Sequence, residues 1–336
     1  MSNQETKKTI SILGAGSMGT AIAFLIGTER DWKVKLWGRD TKLLSEIKET
    51  RENKKYLPRI RLPGRVLATS DLEEAIKDSD LIALTVPSFA VREMSERISI
   101  FKRNLPPLLM ISKGMEKETC LFPFQIVEEI LKTKEILHLT GVGYAKEIAK
   151  QNPVTEVLVS RQRELLRFKN LFQTRNIRIE TSDDLLGAQL GGALKNVMVI
   201  GIGMAECLEQ KPEIKAGLIS AGVKEMIELG KAIGAKEETF EGPAGRGDLE
   251  LSSSHSSRNY QLGRDIFLQG IKEVEKRLQQ QRKTVEGLHT AWSAYKLAQK
   301  YDVGLPLVEG VYKVIYGKEN PKEIAEELMG LVKQTL

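Results

Sequence analysis

The sequence predicts an α/β domain followed by an all-α domain. Short apolar runs alternate with helical patterns from residue 9 to about residue 184, which is typical of a parallel sheet covered by helices. A glycine-rich turn at residues 14–19 separates the first such run from the first helical pattern. After residue 184 the alternation stops and helical patterns dominate, so we predict domains of residues 1–184 and 185–336.

The composition excludes several classes of protein. The chain has 336 residues, with 51 basic and 45 acidic side chains and a net charge of +6. This mild, scattered charge gives no support for nucleic-acid binding but suits an anionic small ligand. Two distant cysteines and three histidines without ligand spacing predict free thiols and no metal site. The short polar N-terminus lacks the apolar core of a signal peptide, so we expect a cytoplasmic protein.

The glycine-rich turn predicts a nucleotide site. Its pattern, Gly-x-Gly-x-x-Gly, follows a β-branched run and opens a helix, which is the context that a dinucleotide fingerprint requires. Gly14 makes the tight turn, Gly16 lets the pyrophosphate approach, and Gly19 lets helix and strand pack. The N-terminus of the helix then receives the phosphates. We therefore predict a Rossmann-type domain that binds NAD(H) or NADP(H), with a ligand-free turn as the alternative.

The residues after the second predicted strand bear on the choice of cofactor. Arg39 and Asp40 follow Gly38 at this place. An acid here binds the ribose 2′-hydroxyl of NAD, whereas an arginine accommodates the 2′-phosphate of NADP. Because Arg39 comes first, NADP(H) is favoured and NAD(H) stays open. Asp40 is also suited to cap the helix that follows.

Later strands and loops add further candidates. Pro87 and Lys113 follow two predicted strands, at the edge where such sheets bind ligands; an exposed loop lysine is the alternative for Lys113. The proline-containing residues 54–64 predict a loop. Residues 240–259 predict a second loop, rich first in glycine and then in hydroxyls. Its amides, hydroxyls and guanidinium suit a phosphate, and a flexible linker is the alternative.

A predicted apolar helix over residues 185–205 carries one ionisable side chain, Lys195. A helix that is apolar on all sides is a buried helix. Burial lowers the pKa of a lysine, which makes it usable as a proton donor and acceptor. Gly191 and Gly192 predict that a group packs closely beside the ammonium. The alternatives are a lysine that reaches the surface and a membrane-spanning segment, which a central lysine disfavours.

Nine short motifs stand out along the chain. They are Gly14-Ala15-Gly16-Ser17-Met18-Gly19-Thr20-Ala21, Leu36-Trp37-Gly38-Arg39, Val86-Pro87-Ser88, Ser112-Lys113-Gly114, Tyr144-Ala145-Lys146-Glu147, Gln189-Leu190-Gly191-Gly192-Ala193-Leu194-Lys195-Asn196-Val197, Gly247-Asp248-Leu249, Ser257-Arg258-Asn259 and Val285-Glu286-Gly287. Taken together, these motifs resemble those of the bacterial-type NAD(P)-dependent glycerol-3-phosphate dehydrogenases. They occur in the family's order from about residue 9 to residue 317, and the lysine-centred and Ser-Arg-Asn motifs are specific to this family.

The resemblance implies reversible reduction of dihydroxyacetone phosphate to sn-glycerol 3-phosphate, which feeds glycerophospholipid synthesis. Lys195 would be the general acid/base, with Asp248 beside it. The implied substrate residues are Lys113, Asp248, Ser257, Arg258 and Asn259. The implied cofactor residues are Gly14, Gly16, Ser17, Met18, Gly19, Arg39, Pro87, Lys113, Ala145, Arg258, Val285 and Glu286. The oligomeric state stays open, with a homodimer as one alternative.

The chemistry of these residue types agrees with the resemblance. As an ammonium, Lys195 would protonate the ketone oxygen as a hydride reaches the carbon, and as a neutral amine it would deprotonate the alcohol. Asp248 would orient the ammonium and oppose the fall in pKa that burial causes. Gly191 and Gly192 would leave room beside the lysine for cofactor and substrate.

Two departures and two rival functions complete the prediction. The family has Gly-Pro-Thr or Gly-Pro-Ser where this chain has Gly141-Val142-Gly143, so a proline and a hydroxyl near the cofactor are missing. Arg246 stands where a small or apolar residue is usual. One rival is another dehydrogenase with a Rossmann and a helical domain, such as 6-phosphogluconate or 3-hydroxyacyl-CoA dehydrogenase; the Ser-Arg-Asn motif argues against it. The other is a non-catalytic nicotinamide sensor, which would not need an intact lysine.

Overall fold

The predicted strands form one eight-stranded sheet in the computed structural model, which describes residues 7–101, 104–281 and 285–335. Its order is β10-β9-β8-β7-β6-β1-β2-β5, with a separate antiparallel pair β3-β4. β9 runs antiparallel to β8, and β10 runs parallel to β9. The strands are β1 (Thr9–Leu13), β2 (Lys33–Trp37), β3 (Glu52–Asn53), β4 (Leu57–Arg61), β5 (Val66–Thr69), β6 (Leu81–Leu84), β7 (Leu108–Met110), β8 (Ile136–Val142), β9 (Val154–Val159) and β10 (Ile177–Ser182).

The chain divides into two compact units. The first contains the described residues of Met1–Ser112 and Phe124–Leu185, and the second contains those of Lys113–Pro123 and Leu186–Leu336. The segment Lys113–Pro123, here called the excursion, leaves the first unit and the chain then returns to it. No local sequence pattern predicts this crossing. Residues 1–6, on which the expectation of no signal peptide rests, lie outside the described residues.

Helices cover the sheet of the first unit. Every residue of β1 and of β6 is buried, as expected for parallel strands packed on both faces. The Asp40 side chain caps α2, as predicted, and the Asp71 side chain caps α3 in the same way. The helices are α1 (Ser17–Glu29), α2 (Thr41–Thr50), α3 (Leu72–Ile76), α4 (Val91–Phe101), α5 (Pro123–Leu131), α6 (Ala145–Ala149) and α7 (Lys169–Phe172).

The predicted loop at residues 54–64 is partly wrong, because β4 occupies its centre. Pro58 lacks an N–H donor, but it lies in a two-stranded ribbon where both strands are edges, so proline is tolerated. The ribbon is also fixed from outside. The buried Asn53 side chain donates to the Ala15 carbonyl at 3.0 Å and to Thr20 Oγ1 at 2.8 Å.

Apart from the excursion, the described part of the second unit is mainly helical, as predicted. Its helices are α8 (Leu185–Ala205), α9 (Pro212–Ile233), α10 (Glu237–Glu241), α11 (Asp248–Ser252), α12 (Arg258–Gln269), α13 (Ile271–Gln281), α14 (Glu286–Lys300), α15 (Pro306–Tyr312) and α16 (Pro321–Thr335). The predicted loop at residues 240–259 is wrong in its first half, where α10, a π-helical turn at Pro243–Gly247 and α11 follow one another. Gly245 serves packing, since a Cβ there would overlap the backbone of Phe240.

Helix α8 is the buried core helix that the sequence predicts. It is long and apolar enough to cross a membrane by length and composition, but 94% of its 18-residue apolar window is buried inside the protein. Its small residues allow close approach of neighbours. A Cβ on Gly203 would overlap the Tyr260 carbonyl oxygen, and one on Gly201 would lie 2.7 Å from Leu307 Cδ1.

A buried carboxylate stands at the start of α15. Glu225 of α9 accepts the backbone N–H of Leu307 at 2.6 Å and that of Val308 at 3.3 Å. Burial raises the pKa of Glu225 to about 8, although these two donors oppose the rise. The nearby carboxylates of Glu309 and Glu228 add to the rise.

We expect this group to make stability depend on pH. An unfolded glutamate has a pKa near 4.5, so between about pH 5 and pH 8 the folded chain holds a proton that the unfolded chain releases. The Glu225 carboxyl therefore contributes fully to the free energy of unfolding below that window, and this contribution is lost as pH rises to about 8. Glu225→Gln should gain stability relative to wild type over the same window, measured as urea midpoints at each pH. A difference that does not change with pH would contradict the raised pKa.

Candidate active site

The fingerprint turn joins β1 to α1 and leaves an open approach. Gly14 has φ +131°, and a Cβ there would lie 2.6 Å from Thr85 Oγ1. A Cβ on Gly19 would overlap the carbonyl oxygen of Gly14, whereas at Gly16 nothing lies within 4 Å of a Cβ. Helix α1 begins at Ser17 without a side-chain cap. Open space and uncapped N–H groups suit a pyrophosphate, so the residues present fit a dinucleotide.

The β3-β4 hairpin contacts this turn from the side. Ser17 Oγ donates to the Tyr56 carbonyl at 2.8 Å. Met18 is partly buried against the core of the first unit. Both predicted cofactor residues therefore follow directly after Gly16, where the turn leaves an open approach.

Asp40 makes hydrogen bonds to nearby residues of the chain, whereas the Arg39 side chain is exposed to solvent. One Asp40 oxygen accepts the Leu43 N–H at 3.1 Å and the other lies 3.1 Å from Lys55 Nζ. These two donors lower the pKa of Asp40 below its usual value. The Arg39 side chain is 66% exposed, and its guanidinium lies 3.9 Å from the Glu93 carboxylate. Of the two uses predicted for Asp40, the structure shows the helix cap.

The remaining cofactor candidates of the first unit lie at the same edge of the sheet. Pro87 follows β6, and Ala145 begins α6 after β8. Because β1, β2, β6, β7 and β8 are parallel, their C-terminal ends share one edge with the fingerprint turn. The first unit thus brings its predicted cofactor residues together along that edge.

In the second unit, one buried carboxylate bridges two lysines. Lys195 Nζ donates to Asp248 Oδ1 at 2.9 Å, and Lys113 Nζ donates to Asp248 Oδ2 at 2.6 Å. Lys195 also donates to Ser252 Oγ at 2.8 Å. Sequence reasoning missed Ser252, although it lies four residues after Asp248 in α11 and therefore on the same helix face. These four side chains are called the lysine cluster below.

Burial and charge set the protonation of the cluster. Lys195 is only 8% exposed, which excludes the alternative of a lysine that reaches the surface. Burial lowers the pKa of Lys195, while Asp248 opposes the fall and Lys113 adds to it. Burial alone would raise the pKa of Asp248, but the two lysines outweigh it and hold that pKa below its usual value. The arrangement favours a carboxylate beside an ammonium that loses its proton more readily than a free lysine.

The two glycines before Lys195 serve protein packing. A Cβ on Gly191 would lie 2.7 Å from the Ala244 carbonyl oxygen, and one on Gly192 would lie 3.3 Å from Lys113 Cγ. The expectation that a group packs closely at this face is confirmed. The expectation that the room is left for cofactor and substrate is wrong, because the π-helical turn and the Lys113 side chain fill it.

The Ser-Arg-Asn motif begins α12 and is fixed beside the lysine cluster. Ser257 caps the helix, and Arg258 is exposed at its first position. Asn259 Nδ2 donates to Asn196 Oδ1 at 2.8 Å, and Asn259 Oδ1 accepts the Gly287 N–H at 3.3 Å. The flexible-linker alternative is wrong for this segment, because hydrogen bonds fix both polar atoms of the Asn259 side chain.

Two other predicted residues lie next to Gly287. Val285 is the residue before α14, and Glu286 is its first residue. The charge of Glu286, like that of Asp248, opposes the fall that burial causes in the pKa of Lys195. The second unit therefore gathers Lys113, Lys195, Asp248, Asn259 and Glu286 into one region.

Arg246, the second departure from the family pattern, pairs locally. Its Nε donates to Glu241 Oε2 at 2.8 Å, across the π-helical turn. This bond raises the pKa of the guanidinium. The arginine therefore links α10 to the segment that leads into Asp248.

The excursion that carries Lys113 is anchored to α14. Lys117 Nζ lies 5.4 Å from the ring centre of Trp292 and 5.3 Å from that of Tyr316, within the range of a cation–π contact. Ser293 Oγ also donates to the Glu116 carbonyl at 3.0 Å. Lys113 is therefore held with the helical unit at two points close to it in sequence.

Comparison with known proteins identifies related sequences over nearly the whole chain. The N-terminal model of NAD-dependent glycerol-3-phosphate dehydrogenase matches residues 9–166, and the C-terminal model matches residues 184–326. The chain is 36% identical to a glycerol-3-phosphate dehydrogenase (NAD(P)+) from Fusobacterium nucleatum subsp. nucleatum, over 95% of this chain and 96% of that protein. It is 34% identical to the protein of the same name from Bacillus pumilus, over 97% and 95%.

Solved structures share the fold. A glycerol-3-phosphate dehydrogenase from Coxiella burnetii has a TM-score of 0.89 and 28% identity, covering 96% of this chain and 99% of its own. The enzyme of Saccharomyces cerevisiae has a TM-score of 0.81 at 23% identity, over 96% and 99%, which shows the fold alone.

The comparisons confirm the predicted family, the α/β-then-α fold class and the nicotinamide-dependent oxidoreductase class. They do not favour the rival dehydrogenases or the non-catalytic sensor. The chain belongs to the NAD-dependent glycerol-3-phosphate dehydrogenase family.

Proposed function

We propose that this protein reduces dihydroxyacetone phosphate reversibly to sn-glycerol 3-phosphate with NADPH or NADH, and that Lys195 is its general acid/base. The observation that carries the proposal is the lysine cluster, in which a buried lysine shares Asp248 with Lys113. Family membership supplies the substrate class, and the cluster supplies the acid/base group.

The lysine cluster suits proton transfer in both directions. The bound nicotinamide cofactor supplies or accepts the hydride. In reduction, the Lys195 ammonium donates a proton to the ketone oxygen and stabilises the negative charge that develops there. In oxidation, the neutral amine removes the hydroxyl proton. Asp248 and Ser252 fix the position of Nζ, because both are within 2.9 Å of it.

The substrate phosphate requires cations and hydrogen-bond donors at a distance from the reacting carbon. Lys113, Ser257, Arg258 and Asn259 supply an ammonium, a hydroxyl, a guanidinium and an amide. Two lysines against one carboxylate leave the lysine cluster with a formal charge of +1, which favours a dianionic substrate. Binding of the phosphate would orient the ketone carbon for reaction.

We propose that residues 1–184 bind the cofactor and that residues 185–336 bind the substrate. In the first domain Gly14, Gly16, Ser17, Met18, Gly19, Arg39, Pro87 and Ala145 would contact the cofactor. Lys113, Arg258, Val285 and Glu286 would contribute from the helical unit. NADP(H) is favoured, because Asp40 is held by Leu43 and Lys55 while Arg39 is accessible.

The cellular setting follows from the proposed reaction. We propose a cytoplasmic enzyme that supplies glycerophospholipid synthesis, without a membrane-spanning segment and without a nucleic-acid partner. A homodimer is compatible with this role. The burial of α8 and the mild net charge of +6 support these points.

The proposed reaction is tested by oxidation of NADPH and of NADH with dihydroxyacetone phosphate, side by side, followed at 340 nm. We expect turnover with both cofactors and a higher kcat/KM with NADPH. Unphosphorylated dihydroxyacetone is the control and should react far more slowly, because it cannot use the phosphate-binding residues. No turnover with either cofactor would refute the proposal.

Removal of the Lys195 ammonium should abolish most catalysis. We expect Lys195→Ala to lower kcat by about 10²- to 10⁴-fold, the usual contribution of a positioned acid/base group. The matched control is Lys215→Ala, which removes another paired lysine of the same unit, bonded to Glu206. Thermal melts would establish that both variants fold. Near wild-type kcat in Lys195→Ala would overturn the assignment.

Arg39 should discriminate between the two cofactors. A hydrogen bond to a charged group contributes about 1.5–3 kcal/mol, so Arg39→Ala should raise the Kd of NADPH by roughly 10-fold or more and leave that of NADH within about twofold. Glu93→Gln should tighten NADPH slightly, because a competing carboxylate is lost. Arg65→Ala, which removes an arginine paired with Asp31, is the control. Equal losses for NADPH and NADH in Arg39→Ala would place the 2′-phosphate elsewhere.

A further inference from the structure

A buried side-chain amide lies beside the fingerprint turn. Asn53, the last residue of β3, is 0% exposed. Its Nδ2 donates to the carbonyl oxygen of Ala15 at 3.0 Å and to Thr20 Oγ1 at 2.8 Å, and its Oδ1 accepts the backbone N–H of Tyr56 at 3.2 Å. Both N–H donors and the acceptor oxygen of this side chain are therefore in use, as a buried amide requires.

The partners fix the direction in which the amide faces. The Ala15 carbonyl can only accept a hydrogen bond, and the Tyr56 N–H can only donate one. A reversed Asn53 amide would place oxygen against oxygen at Ala15 and N–H against N–H at Tyr56. An ionised carboxylate of the same shape could not donate to the Ala15 carbonyl. The position therefore suits an amide and not polar side chains in general.

Asn53 connects the two halves of the turn that leads into α1. Ala15 lies between the first two glycines of the fingerprint, and Thr20 lies in the first turn of α1. The Thr20 N–H also donates to the Gly16 carbonyl at 2.9 Å. Because a trans peptide group is planar, fixing the Ala15 carbonyl also fixes the direction of the Gly16 N–H. The amide thus holds the backbone at the residue where the turn leaves open space.

The hairpin that carries Asn53 is itself fixed to the first unit. Leu57, which pairs with Asn53 across the β3-β4 ribbon, is buried in the core of that unit. At the base of the ribbon, Arg51 Nη1 donates to the Val66 carbonyl at 2.9 Å. The Leu62 N–H donates to the Arg51 carbonyl at 2.7 Å. Asn53 therefore holds the turn from a fixed support.

We propose that Asn53 is a positioning residue for the pyrophosphate of the cofactor. It holds the fingerprint turn and the start of α1 in the conformation that receives the phosphates, so the turn does not have to be ordered when the cofactor binds. This inference rests on the proposed cofactor site. Because NADPH and NADH share the pyrophosphate, Asn53 affects the affinity for both, whereas Arg39 discriminates between them.

The test is cofactor binding without substrate, measured as Kd by the fluorescence of NADPH and of NADH. Asn53→Ala should raise both Kd values by the same factor, about 5- to 50-fold, which is the range that two net hydrogen bonds produce. The kcat at saturating cofactor should change by less than about threefold, because the substitution removes no group of the lysine cluster.

The control variant removes another amide of the same unit. Asn176 Nδ2 donates to the Gln151 carbonyl at 2.8 Å, next to the edge strand β10. Asn176→Ala should leave the Kd of NADPH and of NADH within about twofold of wild type, as a surface substitution away from the site does.

Fragments of the cofactor locate the effect. ADP-ribose contains the pyrophosphate, whereas 2′-AMP contains the adenosine and its 2′-phosphate without the pyrophosphate. In competition with NADPH, Asn53→Ala should weaken ADP-ribose by the same factor as the dinucleotides and leave 2′-AMP unchanged. Equal losses for the two fragments would show that the substitution disturbs the adenosine end, and would overturn the inference.

The contact with Thr20 provides a second, independent variant. Thr20→Val removes Oγ1 and should raise both Kd values, whereas Thr20→Ser keeps the hydroxyl and should bind like wild type. In an Asn53→Ala background, Thr20→Val should have little further effect, so the two changes would be non-additive.

Thermal melts establish which variants are folded at the temperature of the titrations. Unchanged Kd values in folded Asn53→Ala would overturn the inference, as would simple additivity of the two changes. If Asn53→Ala does not fold, unchanged Kd values in Thr20→Val would overturn it in the same way. Failure of the wild-type protein to bind NADPH and NADH would instead refute the proposed function.

Discussion

The second unit depends on one carboxylate held between two ammonium groups. Removing Asp248 would leave two buried or half-buried lysines facing each other, and removing either lysine would leave a buried carboxylate with one partner fewer. Each member comes from a different part of the chain: the excursion, α8 and α11. The buried core helix, the close packing at Gly191 and Gly192, and the π-helical turn all bring these three charges within hydrogen-bonding distance.

The first unit has to leave space for a ligand at the end of a tightly packed sheet. Gly14 and Gly19 let α1 approach β1, whereas Gly16 leaves the outside of the turn open. The β3-β4 hairpin fixes the turn from the side through Asn53 and Ser17.

Local patterns predicted the parts of the structure that local physics determines. The strands β1 and β6 are recognisable because strands buried on both faces need continuous apolar runs, and α8 because a buried helix needs an apolar surface all round. Three features depend on how the chain packs and were not predicted. The glycine-rich residues 242–247 have the composition of a loop, but Gly245 packs against the backbone of Phe240. Ser252 joins the lysine cluster only because Asp248 begins a helix. The Glu156 side chain approaches Gly143 only through the pairing of β8 with β9.

The excursion has a consequence for how the chain is made. Lys113 is synthesised well before its partner Asp248, which follows 135 residues later. While the ribosome synthesises the rest of the first unit, Asp248 has not yet been added to the chain and cannot pair with Lys113. The chain crosses between the units at residues 112–113, 123–124 and 185–186. A gene fragment that ends at residue 184 would therefore encode a nucleotide-binding sheet with an unpaired piece of the helical unit, and the complementary fragment would lack one of its two cluster lysines.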